Sequence, residues 1–409
     1  MHILIIGYVW PEPNSSAAGS RMMQLISSFQ EADFSIHFAT PAQTTEHMVN
    51  LDAMGIQTAQ IELNQSSFDD YIHALNPDIV IFDRFMMEEQ FGWRVEKYCP
   101  NALRVLNTED LHSLRHARHK AVKSQQAFQL SDMHTDLGIR EVAAILRSDL
   151  TLMISDYEYQ LLQDKFNIPA YQLMHLPFML ATLKQTDLDE LPSFEERAHF
   201  ISIGNFRHEP NWDAVLQLKT EIWPQIRKQL PKAQMHVYGA YPPPKATQLH
   251  NEKQGFLVKG WAKDANQVMQ NARVCLAPIR FGAGIKGKLV EAMQNGTASV
   301  TTLTGAESMH GELPWNGQIC NIGEDFVTAA ISLYQDKKRW QLSQHKALEI
   351  LSTFYNKDEW HNQFIKRLVD AKASQEHQRQ QNFMGLMVRH HSLKSTKYMS
   401  QWIEAKNKP

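Results

Sequence analysis

The chain has 409 residues, 43% hydrophobic and 21% charged, which fits a folded protein too long for one core of ~250–300 residues. With 41 Lys/Arg against 44 Asp/Glu the formal net charge is −3, which excludes binding nucleic acid through bulk positive charge. The three cysteines, Cys99, Cys275 and Cys320, lie far apart with no CxxC pair, so free buried thiols in a reducing compartment are expected and structural zinc is not.

The N-terminus opens on a strand, His2 to Gly7, without the basic region and apolar segment of a signal peptide. No run of ~18 apolar residues occurs, and a cytoplasmic protein is expected. Small residues follow that strand and a Pro-x-Pro loop: Ser16, Ala17, Ala18, Gly19 and Ser20. They suit a helix cap through Ser16 or Ser20. They equally suit a loop that admits a ligand, with Gly19 as the contact and Arg21 as a secondary one. Met22, Met23, Leu25, Ile26 and Phe29 have helical spacing. Apolar runs then recur at Ile36 to Ala39, Ile79 to Phe82, Leu103 to Leu106, Leu150 to Ile154 and Leu173 to Leu176. Continuous apolar strands separated by helices imply a parallel sheet covered on both faces.

The polar, acidic run 181–198 contains Pro192 and reads as a linker. It also holds Asp187-Leu-Asp189, the one Asp-x-Asp candidate for a divalent metal, but a linker is a poor place for such a site and no metal is expected. The pattern restarts at Phe200, with a helix expected from Trp212 to Leu230. Strands follow at Gln234 to Tyr238, Phe256 to Val258, Val274 to Ile279, Ala298 to Thr302 and Gln318 to Ile322. The expected fold is α/β: two doubly wound Rossmann-like domains, residues 1–180 and 199–355, facing across a cleft. Helices over 356–409 can return to the first domain. Ligands in such sheets bind beyond the carboxyl ends of the strands.

Residues 273–307 carry the most chemistry. A strand enters the turn Gly282-Ala-Gly284-Ile-Lys286-Gly287-Lys288, and a helix bearing Glu291 leaves it. Lysines are poorly placed at the positive end of a helix dipole unless an anion sits there. Glycines let backbone amides approach that anion, which the lysines neutralise. The turn is read as a diphosphate site formed by Gly282, Ala283, Gly284, Ile285, Lys286 and Lys288. The same letters spell Gly-x-Gly-x-x-Gly with Glu307 beyond, a dinucleotide fingerprint. That fingerprint belongs in the first strand–helix turn of its domain, whereas three strands precede this one. Glu291 alone suits a surface helix residue paired with Lys288.

From 371 to 409 there are seven Lys/Arg (Lys372, Arg379, Arg389, Lys394, Lys397, Lys406, Lys408) against Glu376 and Glu404. With Leu386, Met387, Tyr398, Met399, Trp402 and Ile403, the tail suits either packing on the protein or a basic amphipathic helix at a membrane surface.

Several of these segments together resemble the retaining GT-B glycosyltransferases of the "glycosyl transferases group 1" family. IGNFRHEPNWDAV (203–215), AQMHVYG (233–239) and FGAGIKGKLVEAMQNGTASVTTLTGAE (281–307) resemble successive parts of its donor domain. WPEPNSSAAGSRM (10–22), NTEDLHSLR (107–115) and ISDYEYQLL (154–162) resemble parts of the other domain. The resemblance implies transfer of a sugar from a nucleoside diphosphate to a glycan or glycolipid acceptor, with retention, in cell-surface polysaccharide or glycolipid synthesis. Such a protein is cytoplasmic or associated with the inner membrane surface. Glu291 matches the second glutamate of the family's Glu-x7-Glu pattern, which bonds the donor ribose. Ala283 stands where the first would be, leaving the amides of Ala283 and Gly284 to hold the sugar. Gly204 and Arg207 fall near the family's donor-binding cations, at a different spacing. Glu109, Asp110 and His112 fall near the reacting carbon. Two alternatives are a nucleotide-sugar epimerase on the same fold and, from the missing glutamate, a non-catalytic nucleotide-binding protein.

Overall fold

The computed structural model describes residues 1–390 and 394–407. One parallel sheet contains β1 (His2–Ile6), β2 (Ser35–Thr40), β3 (Gln57–Gln60), β4 (Ile79–Asp83), β5 (Leu103–Asn107), β6 (Leu150–Met153) and β7 (Leu173–His175). Its strand order is β3-β2-β1-β4-β5-β6-β7. A second parallel sheet contains β8 (His199–Ile203), β9 (Met235–Tyr238), β10 (Phe256–Gly260), β11 (Ala272–Ala277), β12 (Ala298–Thr301) and β13 (Gly317–Ile319). Its order is β10-β9-β8-β11-β12-β13. In each sheet the first strand of the unit is central and the order reverses beside it, which opens a crevice at the carboxyl edge. Strands β1, β4, β5 and β11 are buried on both faces, as continuous apolar runs require.

Three elements differ from expectation. β3 reads Gln-Thr-Ala-Gln; it is an edge strand with no fully buried residue, so hydrophobic patterning cannot reveal it. The expected helix from Trp212 to Leu230 is Glu209–Gln217 and Trp223–Gln229 joined by the wider π turn Leu218–Ile222. Pro224, which lacks an amide hydrogen, sits in the first turn after that widening. The strand before the glycine turn ends at Ala277, two residues short of Ile279.

The chain crosses between domains at two adjacent points. Leu180 N–H donates to Tyr355 O at 2.8 Å, and Lys357 N–H donates to Leu180 O at 2.9 Å. Helix Lys357–Ala373 then buries Phe364, Leu368 and Ala371 in the same core as Ile3, Phe29 and Leu103 of the first sheet. Helices Gln375–Gln381, Phe383–Val388 and Lys394–Asn407 follow on that domain. Of the basic residues counted in the tail, Lys408 lies outside the described residues. Among the described residues no helix is long and apolar enough to cross a membrane. Cys99 and Cys275 are buried free thiols and Cys320 is a half-buried one.

Candidate active site

The carboxyl edges of the two sheets enclose a cleft of about 720 Å³. Loops after β8, β9, β10 and β11 line it from one side, and loops after β1, β4 and β5 from the other. Thirteen of the site residues expected from sequence lie on this wall: Gly19, Glu109, Asp110, His112, Gly204, Arg207, Gly282, Ala283, Gly284, Ile285, Lys286, Lys288 and Glu291.

Helix Gly287–Gln294 points its start at the cleft. Lys286 is its N-cap, with extended backbone and no side chain capping the exposed amides, so the positive end of the helix is bare. Lys286 Nζ donates to Gly284 O at 2.8 Å, and Lys288 Nζ donates to Asn211 Oδ1 at 2.7 Å. Burial lowers the pKa of both lysines, that of Lys288 to about 8. Burial raises that of Glu291, with Lys288 opposing. Lys288 forms no ion pair with Glu291 and reaches Asn211 instead, so the surface-pair alternative for Glu291 does not hold. Two lysines held below their usual range at an uncapped helix start make a site short of negative charge.

The glycines serve close packing between the domains. Gly284 has φ +63°, and a Cβ there would lie 2.9 Å from Asp110 Cβ. A Cβ on Gly287 would lie 2.5 Å from Ala17 Cβ. Gly19 sits in the first turn of helix Ala17–Glu31, its amide donating to the capping Ser16 Oγ at 3.1 Å.

Corrections follow from these contacts. The Gly284 amide does not face a free space for a sugar: it donates to Glu158 Oε1 from the other domain. Glu158 Oε2 accepts from Leu111 N at 2.9 Å. Burial and the charge of Asp110 push this carboxyl up to about 8. Ala283 packs into the core of the first domain, where a glutamate would be stranded. A carboxylate therefore does stand beside this turn, but the opposite domain supplies it. Arg21 makes no cleft contact; fully buried, it donates to Asn107 Oδ1 at 3.3 Å and to Pro177 O at 3.1 Å. Glu307 follows helix Leu303–Ala306 as its C-cap residue and does not line the cleft; it forms a two-pronged ion pair with Arg118 at 2.7 and 2.8 Å. Asp187 and Asp189 lie on the short linker helix Gln185–Asp189, accepting from Lys184 N (2.7 Å) and Gln185 Nε2 (2.9 Å), away from the cleft.

Across from the lysines, β4 and β5 end in strained backbone. Arg84 has φ +72° and Glu109 φ +64°, conformations that non-glycine residues hold where surrounding structure enforces them. Asn107 Nδ2 donates to Glu109 Oε1 at 2.7 Å and, more weakly, to Asp83 Oδ1 at 3.5 Å. Burial, then repulsion from Asp83, pushes Glu109 up to about 7, and burial raises Asp83 as well. Asp110 behaves oppositely. Burial would raise it, but the Arg115 guanidinium bonded to it holds it well below the usual range. Burial drops His112 to about 4, so it is neutral at pH 7. Its ring lies 3.6 Å from Asp110, and its backbone amide donates to Glu141 Oε1 at 2.8 Å.

The domains are latched. Besides its pair with Glu307, Arg118 donates to Gly282 O at 2.9 Å. Ser155 and Ser308 hydroxyls meet at 2.8 Å, and Tyr241 OH donates to Glu12 Oε1 at 2.8 Å. Arg118→Ala removes the strongest tie. The amides of residues 282–285 are expected to exchange with solvent deuterium about tenfold faster, as a lost charge-assisted bond of ~1.4 kcal/mol requires. Unchanged exchange would show that the latch bears no load.

Residues 197–336 match the model of the family Glycosyl transferases group 1. By sequence, no curated protein matches the chain. Solved structures do resemble it in fold. Sucrose-phosphate synthase from Thermosynechococcus elongatus has a TM-score of 0.66 at 15% identity, covering 91% of this chain and 100% of that one. A mutant of S. aureus TarM, solved with fondaparinux, alpha-GlcNAc-glycerol and UDP, has a TM-score of 0.68 at 9% identity, covering 91% and 99%. Anabaena HepE, solved with UDP and glucose, has a TM-score of 0.64 at 14% identity, covering 90% and 99%. The matched segment contains the glycine turn, both lysines and Glu291. Residues 197–336 thus carry a domain similar to the glycosyl transferases group 1 family, within a chain whose overall fold is GT-B.

Proposed function

We propose that the protein moves a glycosyl group from a nucleoside diphosphate sugar to a saccharide or lipid-linked acceptor, with retention, in cell-surface polysaccharide or glycolipid synthesis. The observation that carries the donor half is the uncapped, twin-lysine helix start opening into the interdomain cleft. UDP bound to HepE supports a nucleoside diphosphate as its ligand. In this scheme the diphosphate takes the helix start, and Lys286 and Lys288 turn to it from Gly284 and Asn211. Glu291, one turn further along, accepts from the ribose hydroxyls. The bond from the anomeric carbon to the diphosphate breaks with its electron pair going to the phosphate oxygen. The two ammonium groups and the helix start meet that charge in a cleft shielded from water. Glu109 orients the acceptor hydroxyl, which adds to the same face of the sugar, and its proton passes to the departing diphosphate. No divalent cation is needed for this charge balance.

The lysines give the scheme a pH signature. Lys288 titrates at about 8 in the free protein, and a bound diphosphate raises that value. Below pH 8 the ammonium is already present. Above it, binding must take up a proton, so nucleotide affinity is expected to fall as pH rises beyond 8, approaching tenfold per unit. Calorimetry across pH 6.5–9.5 checks this; affinity flat to pH 9.5 contradicts it.

A panel of nucleotide sugars, assayed for release of nucleoside diphosphate and for product anomer by NMR, tests the whole. An inverted linkage rejects retention, and no release from any donor rejects this donor class. The epimerase alternative is favoured by one observation, the paired Asp83 and Glu109 carboxyls with raised pKa on the cleft wall. A new sugar epimer formed from nucleotide sugar alone would decide for it.

A further inference from the structure

The last three helices are built inside out. The buried residue of Gln375–Gln381 is Gln375, that of Phe383–Val388 is Gly385, and that of Lys394–Asn407 is Ser400. Their attachment to the first domain is polar. Arg379 Nε and Nη2 donate to the two oxygens of Asp149 at 2.7 Å each, and Asn382 Nδ2 donates to Leu146 O at 2.8 Å. Arg94 donates to Ser400 Oγ at 3.2 Å, and Ser66 Oγ donates to Glu404 Oε1 at 2.6 Å. A Cβ on Gly385 would meet Leu146 O at 2.3 Å, so this helix rests directly on the end of helix Asp136–Arg147.

The apolar side chains take the outer face. Phe383 is 67% exposed, Met384 56%, Tyr398 61%, Met399 57% and Trp402 58%. A helix lying on a domain in water ordinarily buries its apolar stripe and shows its polar side. Here the arrangement is reversed. The surface charges are one-sided as well: Lys394, Lys397 and Lys406 stand against Glu404 over residues 383–407, Arg389 being buried, and Glu404 is turned to Ser66. Lys406 Nζ lies 5.2 Å from the Trp402 ring centroid, placing a cation beside an interfacial aromatic.

We propose that this face docks on an anionic phospholipid bilayer. Phe383, Met384, Met399 and Trp402 enter the boundary between headgroups and acyl chains, and Lys394, Lys397 and Lys406 meet the lipid phosphates. The first domain is thereby held at the membrane surface by helices that lie on it and do not span it. A second copy of the chain would cover the apolar residues too, but it would set these cations against their own kind.

Flotation of the full chain with phosphatidylcholine vesicles, with and without phosphatidylglycerol, tests the assignment. Binding is expected only to the anionic vesicles and is expected to weaken with salt. Lys394→Glu/Lys397→Glu and, separately, Met399→Glu/Trp402→Glu are each expected to weaken it more than tenfold, since one basic residue near such a surface contributes about fivefold. Melting temperature should not change, because these side chains face outward. Equal flotation of wild type and variants, or none by wild type, overturns the proposal. So does a wild-type dimer in the absence of lipid that Met399→Glu/Trp402→Glu converts to monomer, which assigns the face to a second copy.

Discussion

Reversing both charges, Lys286→Glu with Lys288→Glu, is expected to lower kcat/KM for the nucleotide sugar at least a thousandfold while leaving the fold intact. A single preorganised group aimed at developing charge contributes ~10²–10³ in rate, and reversal adds repulsion to its loss. Burial disfavours both ammonium groups, so their charge adds little to the fold, and the melt controls for new glutamates placed near Glu158 and Glu307. Their side-chain partners in the free protein are one carbonyl and one amide oxygen. A coupled assay of nucleoside diphosphate release, with a thermal melt as control, measures this. Turnover within tenfold of wild type would remove these lysines from the mechanism.

Glu109→Gln should separate activity from stability. The shape is kept, but the carboxylate that orients the acceptor hydroxyl is lost, and kcat is expected to fall about a hundredfold, within the range for a positioned acid–base group. Nucleotide affinity should be unchanged, because the residue lies on the opposite wall. Stability should rise above pH 7, since the repulsive pairing with Asp83 is gone. The sign follows from a pKa raised from 4.5 to about 7. Between those values the unfolded chain releases its proton first, so wild-type stability falls as pH rises, and the glutamine variant lacks that slope. Denaturant titrations at pH 4, 6 and 8 show it. Loss of stability together with activity would instead make Glu109 a structural residue.

Both of these candidate positions could be proposed from the sequence, for different reasons. The glycine turn with lysines at a helix start carries its own electrostatic signal, and a continuous apolar strand fixes where it lies. Glu109 was named only through the family resemblance, on the loop after a buried strand; its strained φ and the Asn107 amide it shares with Asp83 belong to three dimensions. The fold followed from apolar runs such as Val80–Phe82, while Gln-Thr-Ala-Gln at the sheet edge carried no such run. Glu158 and Arg118 could not be found from spacing. Their partners, Gly284 and Glu307, lie 126 and 189 residues away in the other domain. Position 283 shows the same limit: the absent glutamate reads as a lost contact until the packing of Ala283 against the first domain is seen. In the tail, the sequence placed apolar and basic residues on helices but could not say which face the protein covers. Polar contacts from Arg379, Asn382 and Ser400 settled that.

The most direct test of the central claim is a thermal shift of the wild-type protein with UDP, GDP, ADP and dTDP. A diphosphate that docks at the helix start adds ~2.7 kcal/mol at 100 times its dissociation constant. At least one of the four should raise the melting temperature, and the Lys286→Glu/Lys288→Glu variant should lose that rise. No shift with any of them, or an equal shift in the variant, would contradict diphosphate binding at this helix.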